Sequence, residues 1–172
     1  MNDLVDSATA KQTEIGSENA EEIAIGSIRY YMLKSRPVRE IIFDLDDALR
    51  SDGNTGVYLQ YVYARANNIL EKATGIAKEY TIGELNQYEE ALLKAMAEVE
   101  MAVEKATKEL DPSILCDYIY QLANTFAKFY ETSPVLKADD DTMAFRVALV
   151  TSYRELLGKM LNILGIPVLD KI

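Results

Sequence analysis

The sequence has no histidine, no tryptophan and a single cysteine among its 172 residues. Without histidine, both acid–base catalysis by imidazole and metal binding through imidazole are excluded. The lone Cys116 cannot form an internal disulfide bond, and its apolar helical surroundings predict a small buried hydrophobe rather than a nucleophile. The eight glycines are scattered, so no glycine-rich loop is present to hold the phosphates of a nucleotide.

Positive charge and long apolar runs are also scarce. The 18 lysines and arginines are outnumbered by 28 aspartates and glutamates, which gives a net charge of −10. Because non-specific nucleic-acid binding depends on neutralising phosphates, this charge argues against a general nucleic-acid binder, and we expect no DNA partner. Any contact with RNA must be local and specific to shape. No apolar run could span a membrane, and the first twenty residues lack the apolar segment of a signal peptide. We therefore expect a cytoplasmic protein with no membrane partner.

Helical periodicity dominates what is present. No segment alternates with the period of two that marks a strand, and the length suits one domain with a sizeable core. The pattern predicts an all-α fold, an antiparallel helical bundle joined by short loops. The predicted helices are a leading helix over 17–34, a short helix over 45–50, and four main helices over 55–72, 84–110, 112–132 and 142–164. Residues 1–16 are predicted to be a weakly organised connector, and residues 75–83 a loop.

The stretch from Asn54 to Arg65 opens the first main helix and carries the most distinctive pattern. At about 100° per residue, Tyr58, Tyr61 and Arg65 fall within about 60° of one another on the helix surface. An apolar stripe that includes Leu59 lies beside them and would face the core. The tyrosines could be large core residues, or they could present rings and a guanidinium to a partner with flat faces and negative charge, such as single-stranded RNA.

Two further clusters have both a structural and a functional interpretation. The segment from Arg29 to Arg39 contains four cations and no acid. These cations could stabilise a helix end beside a solvated loop, or they could face phosphates or another domain. Asp44, Asp46 and Asp47 could suggest a metal cluster, but their place at a helix start favours capping, and we predict no metal site.

Several strings of the sequence match one known family. They are Phe43 and Asp44, the run from Gly53 to Arg65, Gly26 to Leu33, Asp117 to Ala123 with Phe129 and Tyr130, and Leu164 to Val168 with Lys171 and Ile172. Together they resemble the anticodon-binding domain of class I arginyl-tRNA synthetases, the DALR-type helical domain. Departures occur at Tyr63, where the family usually has histidine, at Val57, where it often has proline, and at Ile172, where methionine is usual. Residues 3–8 resemble the segment that follows the ATP loop of the family's catalytic domain.

The resemblance implies a site and a fold. The fold is that of the anticodon-binding domain of class Ia aminoacyl-tRNA synthetases, with residues 1–16 as a connector from the catalytic domain and 17–172 as the domain. The anticodon loop of arginine tRNA would be bound by Tyr58, Tyr61, Arg65, Tyr130 and the last residue, Ile172. Weaker contacts with RNA or with the catalytic domain are assigned to Arg29, Arg36, Asn54 and Gln60.

The resemblance also implies what this chain lacks. The full enzyme couples arginine to its tRNA with ATP and magnesium, whereas the nucleotide-binding domain is absent here. We therefore expect an excised domain, or a free-standing homologue, that needs no cofactor of its own and is inactive alone as a ligase. The alternative function is a helical module that docks on another protein without binding RNA, with the tyrosines as interface hot spots.

Overall fold

The structure is a computed structural model that describes residues 2–75 and 79–172. Within these two ranges the chain forms eight helices and no strand, which confirms the predicted all-helical fold. The helices are α1 (Asn2–Glu14), α2 (Ala20–Leu33), α3 (Leu45–Ala48), α4 (Gly56–Lys72), α5 (Gln87–Ala97), α6 (Val99–Glu109), α7 (Ser113–Thr132) and α8 (Asp140–Ile163). None of these helices combines the length and apolarity needed to cross a membrane.

Helix α4 lies at the centre of the bundle and packs on α2, α7 and α8. The core between these helices contains large side chains without solvent exposure, including Leu59, Phe126 and Tyr153. The rings of Phe126 and Tyr153 stack with centroids 3.9 Å apart, which joins α7 to α8. Burial of each such side chain contributes about 1.5–3 kcal/mol, so this aromatic layer fixes the relative positions of the helices that frame the site.

The predicted helix starts rest on side-chain caps. Asp44 accepts a hydrogen bond from the Asp47 amide, which confirms the capping interpretation of that acidic cluster. Thr55 accepts from the Tyr58 amide at 3.2 Å and so sets the start of α4.

At α7 the carboxylate of Asp111 accepts from the amide and hydroxyl of Ser113. These bonds, with the nearby Arg36, hold the pKa of Asp111 below its usual value.

Helices α2 and α4 cross at unusually short range because each contributes a glycine. A Cβ on Gly56 would lie 2.7 Å from the carbonyl oxygen of Gly26. A Cβ on Gly26 would lie 2.6 Å from Nε2 of Gln60. A Cβ on Gly56 would meet main-chain atoms, so this position requires glycine for the crossing to form. A Cβ on Gly26 would meet the end of the Gln60 side chain, which would have to shift.

Two predictions about the helices were wrong. Residues 1–16 are not weakly organised, because α1 packs on α2 and buries Ala8 completely against Ala24 and Ile28. The predicted helix over 84–110 is divided at Glu98 into α5 and α6. The hydroxyl of Tyr118 donates to the Ala95 carbonyl at 3.1 Å and thereby satisfies an acceptor that the break releases.

Smaller differences concern single residues and one loop. Helix α2 begins at Ala20 with Asn19 in the capping position, rather than at Ser17. The predicted loop over 75–83 lies partly outside the described residues, since 76–78 are not among them. Cys116 is buried as predicted, and burial raises the pKa of its thiol to about 12, so it stays protonated at neutral pH.

Candidate nucleic-acid interface

A cleft of about 730 Å³ opens between α4, the end of α7 and the segment that follows α8. Four of the five main residues predicted from the sequence line it, namely Tyr61, Arg65, Tyr130 and Ile172. The other lining residues are Ala64, Asn68, Ile69, Lys72, Glu131, Pro134, Val135, Leu136 and Lys137. Three segments that are distant in sequence therefore meet at one surface.

Arg65 lies between two tyrosine rings in this cleft. Its guanidinium carbon is 4.7 Å from the ring centroid of Tyr61 and 5.1 Å from that of Tyr130. The same guanidinium donates a hydrogen bond to the Tyr61 hydroxyl. Tyr61 and Tyr130 remain 41% and 39% exposed. Cation–π attraction therefore orders three flat groups while both rings keep surface available to a ligand.

The core supports this arrangement from behind. The ring of Tyr130 lies nearly parallel to that of the fully buried Phe126, with centroids 6.4 Å apart and planes 20° apart. Tyr61 and Arg65 are one turn apart on α4, whose inner face is buried. The flat groups are thus attached to rigid helices, and binding would lose little side-chain entropy in ordering them.

The cleft is locally basic although the chain is acidic. Its charged side chains are three cations, Arg65, Lys72 and Lys137, and one acid, Glu131. Opposite charges attract across a few ångströms, whereas distant charges are screened beyond about 10 Å at physiological salt. In the 172-residue chain the α-carboxylate of Ile172 adds a second negative charge to this lining, so the three cations exceed the anions by one. The cleft thus carries a small positive excess, whereas the whole chain has a net charge of −10.

The structure separates Tyr58 from the other aromatic residues. Tyr58 does not line the cleft, and its hydroxyl donates to Oδ1 of Asn124 on α7 at 3.0 Å. Its ring meets Tyr120 edge-to-face, and partial burial raises its pKa. Of the three residues that share one side of α4, Tyr61 and Arg65 line the cleft, whereas Tyr58 contacts α7. An RNA contact of Tyr58 remains a prediction.

Two of the weaker candidates serve contacts within the protein. Gln60 is completely buried and donates from Nε2 to the carbonyls of Glu22 and Pro167, so these bonds favour a structural role, and its contact with RNA or the catalytic domain stays a prediction. The side chain of Asn54 accepts from the hydroxyl of Tyr30, and its carbonyl accepts from Lys34. Asn54 therefore joins the α2 end to the α4 start.

The two arginines of the basic segment also have partners inside the chain. Arg29 donates to the carbonyl of Gly165. Arg36 forms ion pairs with Asp111 at 3.2 Å and Glu109 at 3.7 Å, although 61% of its side chain is exposed. Neither lines the cleft. The structural interpretation therefore accounts for Arg29, while an outside contact of Arg36 remains a prediction.

Comparisons with known proteins identify the family of the chain. Residues 59–172 match the family model of the DALR anticodon binding domain. The chain belongs to this family. An arginine–tRNA ligase of Clostridium botulinum is 36% identical over 183 residues, covering 99% of this chain and 32% of the relative. One from Pyrobaculum islandicum is 39% identical over 163 residues, covering 94% and 26%.

A solved structure has the same fold over nearly the whole chain. The arginyl-tRNA synthetase of Thermus thermophilus superposes with a TM-score of 0.94 at 31% identity, over 99% of this chain and 32% of that one. The chain thus spans about a third of the length of these relatives. The comparisons give no support to the alternative of a protein-docking module without RNA binding.

Sequence reasoning missed four polar residues of the cleft, Asn68, Lys72, Glu131 and Lys137. Asn68 and Lys72 follow Tyr61 and Arg65 by seven residues each, so helical spacing alone could have placed them on the same face. Lys137 lies in the loop after α7, where no periodicity applies. Its place in the cleft depends on how the loop folds back on α4.

Proposed function

We propose that this DALR domain binds the anticodon loop of an arginine tRNA, as one part of an arginine–tRNA ligase. The observation that carries the proposal is the Arg65 guanidinium lying over the two half-exposed rings of Tyr61 and Tyr130. Relatives of which the chain spans between about a quarter and a third are named arginine–tRNA ligases, which supports the choice of tRNA. Arginine activation with ATP and magnesium would belong to the remainder of such an enzyme, as would the catalytic domain on which this chain docks.

The chemistry of the cleft suits unstacked bases. Loops and other single-stranded RNA expose base faces that stack on aromatic rings or on guanidinium planes, and each stacked base is worth about 1–3 kcal/mol. Arg65 can stack on a base or donate two parallel hydrogen bonds to a phosphate. Lys72 and Lys137 add charge for the RNA backbone at the same opening. The cleft thus offers stacking and charge together, as a short RNA loop requires.

The test is a titration of the 172-residue chain with an arginine-tRNA anticodon stem-loop and with the same stem carrying a scrambled loop. We expect the native loop to bind more tightly. Tyr61→Ala should weaken that binding about tenfold, since one stacking surface is lost. Tyr80→Ala is the matched control, because Tyr80 is 37% exposed and lies outside the cleft. It should leave binding unchanged.

Two results would contradict the proposal. Equal binding of the two loops would show that the domain does not recognise the anticodon sequence. An equal loss of affinity from Tyr61→Ala and Tyr80→Ala would show that the cleft is not the binding site. Binding through phosphates should also weaken steeply with salt, with a slope of about −0.7 per phosphate for single strands. A salt-insensitive interaction centred on the tyrosines would instead favour a protein partner.

A further inference from the structure

The segment 165–172 that follows α8 is held by side chains that bind its main-chain carbonyls. Arg29 donates to Gly165 and Nε2 of Gln60 to Pro167, the latter at 2.9 Å. Nδ2 of Asn67 donates to Asp170 at 3.4 Å, and Nδ2 of Asn19 donates to Lys171 at 2.9 Å. Four carbonyls of one short extended segment thus accept hydrogen bonds from α2, α4 and the residue that precedes α2.

These contacts fix the path of segment 165–172. From its first residue to its last, the segment meets partners of decreasing residue number on the α2 side, from Arg29 to Asn19. Its partners on α4 increase in residue number, from Gln60 to Asn67. The segment therefore lies along the two antiparallel helices and runs in the direction of α4. Its path ends at Ile172, which lines the cleft beside Arg65 and Tyr130.

Apolar side chains attach the same segment to the core. Ile166 is 1% exposed and belongs to the main core, and Leu169 packs with Ile23 and Val57. The buried side chains at 166 and 169 and the bound carbonyls at 165, 167, 170 and 171 are spread along the length of the segment. The apolar contacts give it affinity for the bundle, and the hydrogen bonds fix its register.

The side chains that hold this segment have further contacts of their own. Asn19 occupies the capping position of α2 without making a capping bond, and its amide nitrogen donates to Lys171. The Asn67 oxygen accepts from Arg154 at 2.8 Å, which leaves its amide nitrogen to donate to Oε1 of Glu71 at 3.2 Å and to the Asp170 carbonyl at 3.4 Å. Gln60 passes between α2 and α4 beside Gly26, where a Cβ would lie 2.6 Å from its Nε2.

We propose that Asn19, Gln60 and Asn67 are positioning residues of the RNA site, which act through segment 165–172 to hold Ile172 in the cleft. This inference rests on the proposed function. Because the donors bind main-chain carbonyls, the mechanism tolerates changes of the side chains at 170 and 171 but depends on the register of the segment. Inserting one residue before position 170 would shift Ile172 by about 3.3 Å, roughly the thickness of one base in a stack.

The test is a double-mutant cycle on the 172-residue chain. One variant combines Asn19→Ala with Asn67→Ala, a second lacks residues 170–172, and a third combines both changes. Asn162→Ala, an exposed asparagine on α8, is the matched control. We expect the paired substitution to weaken stem-loop binding about tenfold, as the loss of two modest hydrogen bonds allows. In the shortened chain the same substitution should change affinity by less than roughly twofold.

Backbone order parameters from NMR relaxation supply a readout that does not involve RNA. The paired substitution should lower the order parameters of residues 168–172, because two contacts that hold the segment are lost, while those in the middle of α4 stay near the value of about 0.85 that marks a rigid backbone. An equal loss of affinity in the full and shortened chains would overturn the inference, as would unchanged order parameters in 168–172. If the unaltered chain fails to bind the stem-loop, the proposed function fails, and the order parameters still decide whether these side chains hold the segment.

Discussion

At the scale of the residue, we expect the shape of Arg65 to matter in the proposed RNA contact as well as its charge. A guanidinium is a flat group that can cover an aromatic ring and still donate hydrogen bonds from its edge. Arg65 does both, since it covers the rings of Tyr61 and Tyr130 and donates to the Tyr61 hydroxyl. An incoming base must therefore stack on the guanidinium or take its place on a ring. A compact ammonium group would offer neither option.

Arg65→Lys separates shape from charge. We expect it to weaken binding of the arginine-tRNA anticodon stem-loop about tenfold, a loss of about 1.4 kcal/mol, because stacking is lost while the positive charge remains. The measurement is a titration at fixed salt. Arg39→Lys, at an exposed cation outside the cleft, provides the comparison and should bind like the original chain. Full affinity of Arg65→Lys would show that charge alone suffices.

At the scale of the element, the α2–α4 crossing connects the core to the site. Gly26 leaves room for the amide of Gln60, and that amide binds Pro167 of the segment that carries Ile172 into the cleft. Alanine at 26 would gain at most about 1 kcal/mol in helix propensity. It would place a Cβ 2.6 Å from the buried Gln60 side chain, and overpacking of this kind costs about 1–3 kcal/mol.

Gly26→Ala should therefore lower the free energy of unfolding and also loosen segment 165–172. Urea denaturation measures the first effect, and backbone NMR order parameters of residues 168–172 measure the second. Gly83→Ala is the control, because a Cβ at Gly83 meets open space and its backbone has ordinary φ. We expect that variant to stay within about 0.5 kcal/mol of the original. A stabilised Gly26→Ala would mean that Gln60 can move aside.

Elements with their own caps and amphipathic faces were predictable from the sequence. Helices α4, α7 and α8 begin and end within two residues of the prediction, because local caps and apolar periodicity determine them. Helix α1 and the break at Glu98 were not predictable, since they depend on distant partners, Ala24 and Tyr118.

The site follows the same division. Tyr61 and Arg65 share one helix, so their proximity was predictable. The positions of Lys137 and of segment 165–172 depend on contacts between remote parts of the chain and were not.

At the scale of the whole molecule, the proposed RNA site would be a local exception on a chain with a net charge of −10. Charges separated by more than about 8–10 Å are screened at physiological salt, so the distant acids would repel RNA weakly while cations at the cleft would attract its phosphates. Salt screens both interactions. Screening of the local attraction lowers the affinity, whereas screening of the general repulsion raises it. The slope of affinity against salt therefore reports how many cleft cations contact phosphates.

Lys72→Gln and Lys137→Gln test this balance directly. Each removes one cation from the cleft lining, so each should flatten the plot of log Kd against log salt by about 0.7–0.9 and weaken binding most at low salt. Lys105→Gln makes the same change of net charge on the exposed face of α6 and should leave the slope unchanged. If all three variants shifted binding equally, the response would follow net charge, and the two cleft lysines would make no direct phosphate contact. If only the cleft variants change the slope, an acidic domain holds its RNA through a small basic surface, and binding needs no general attraction between the two molecules.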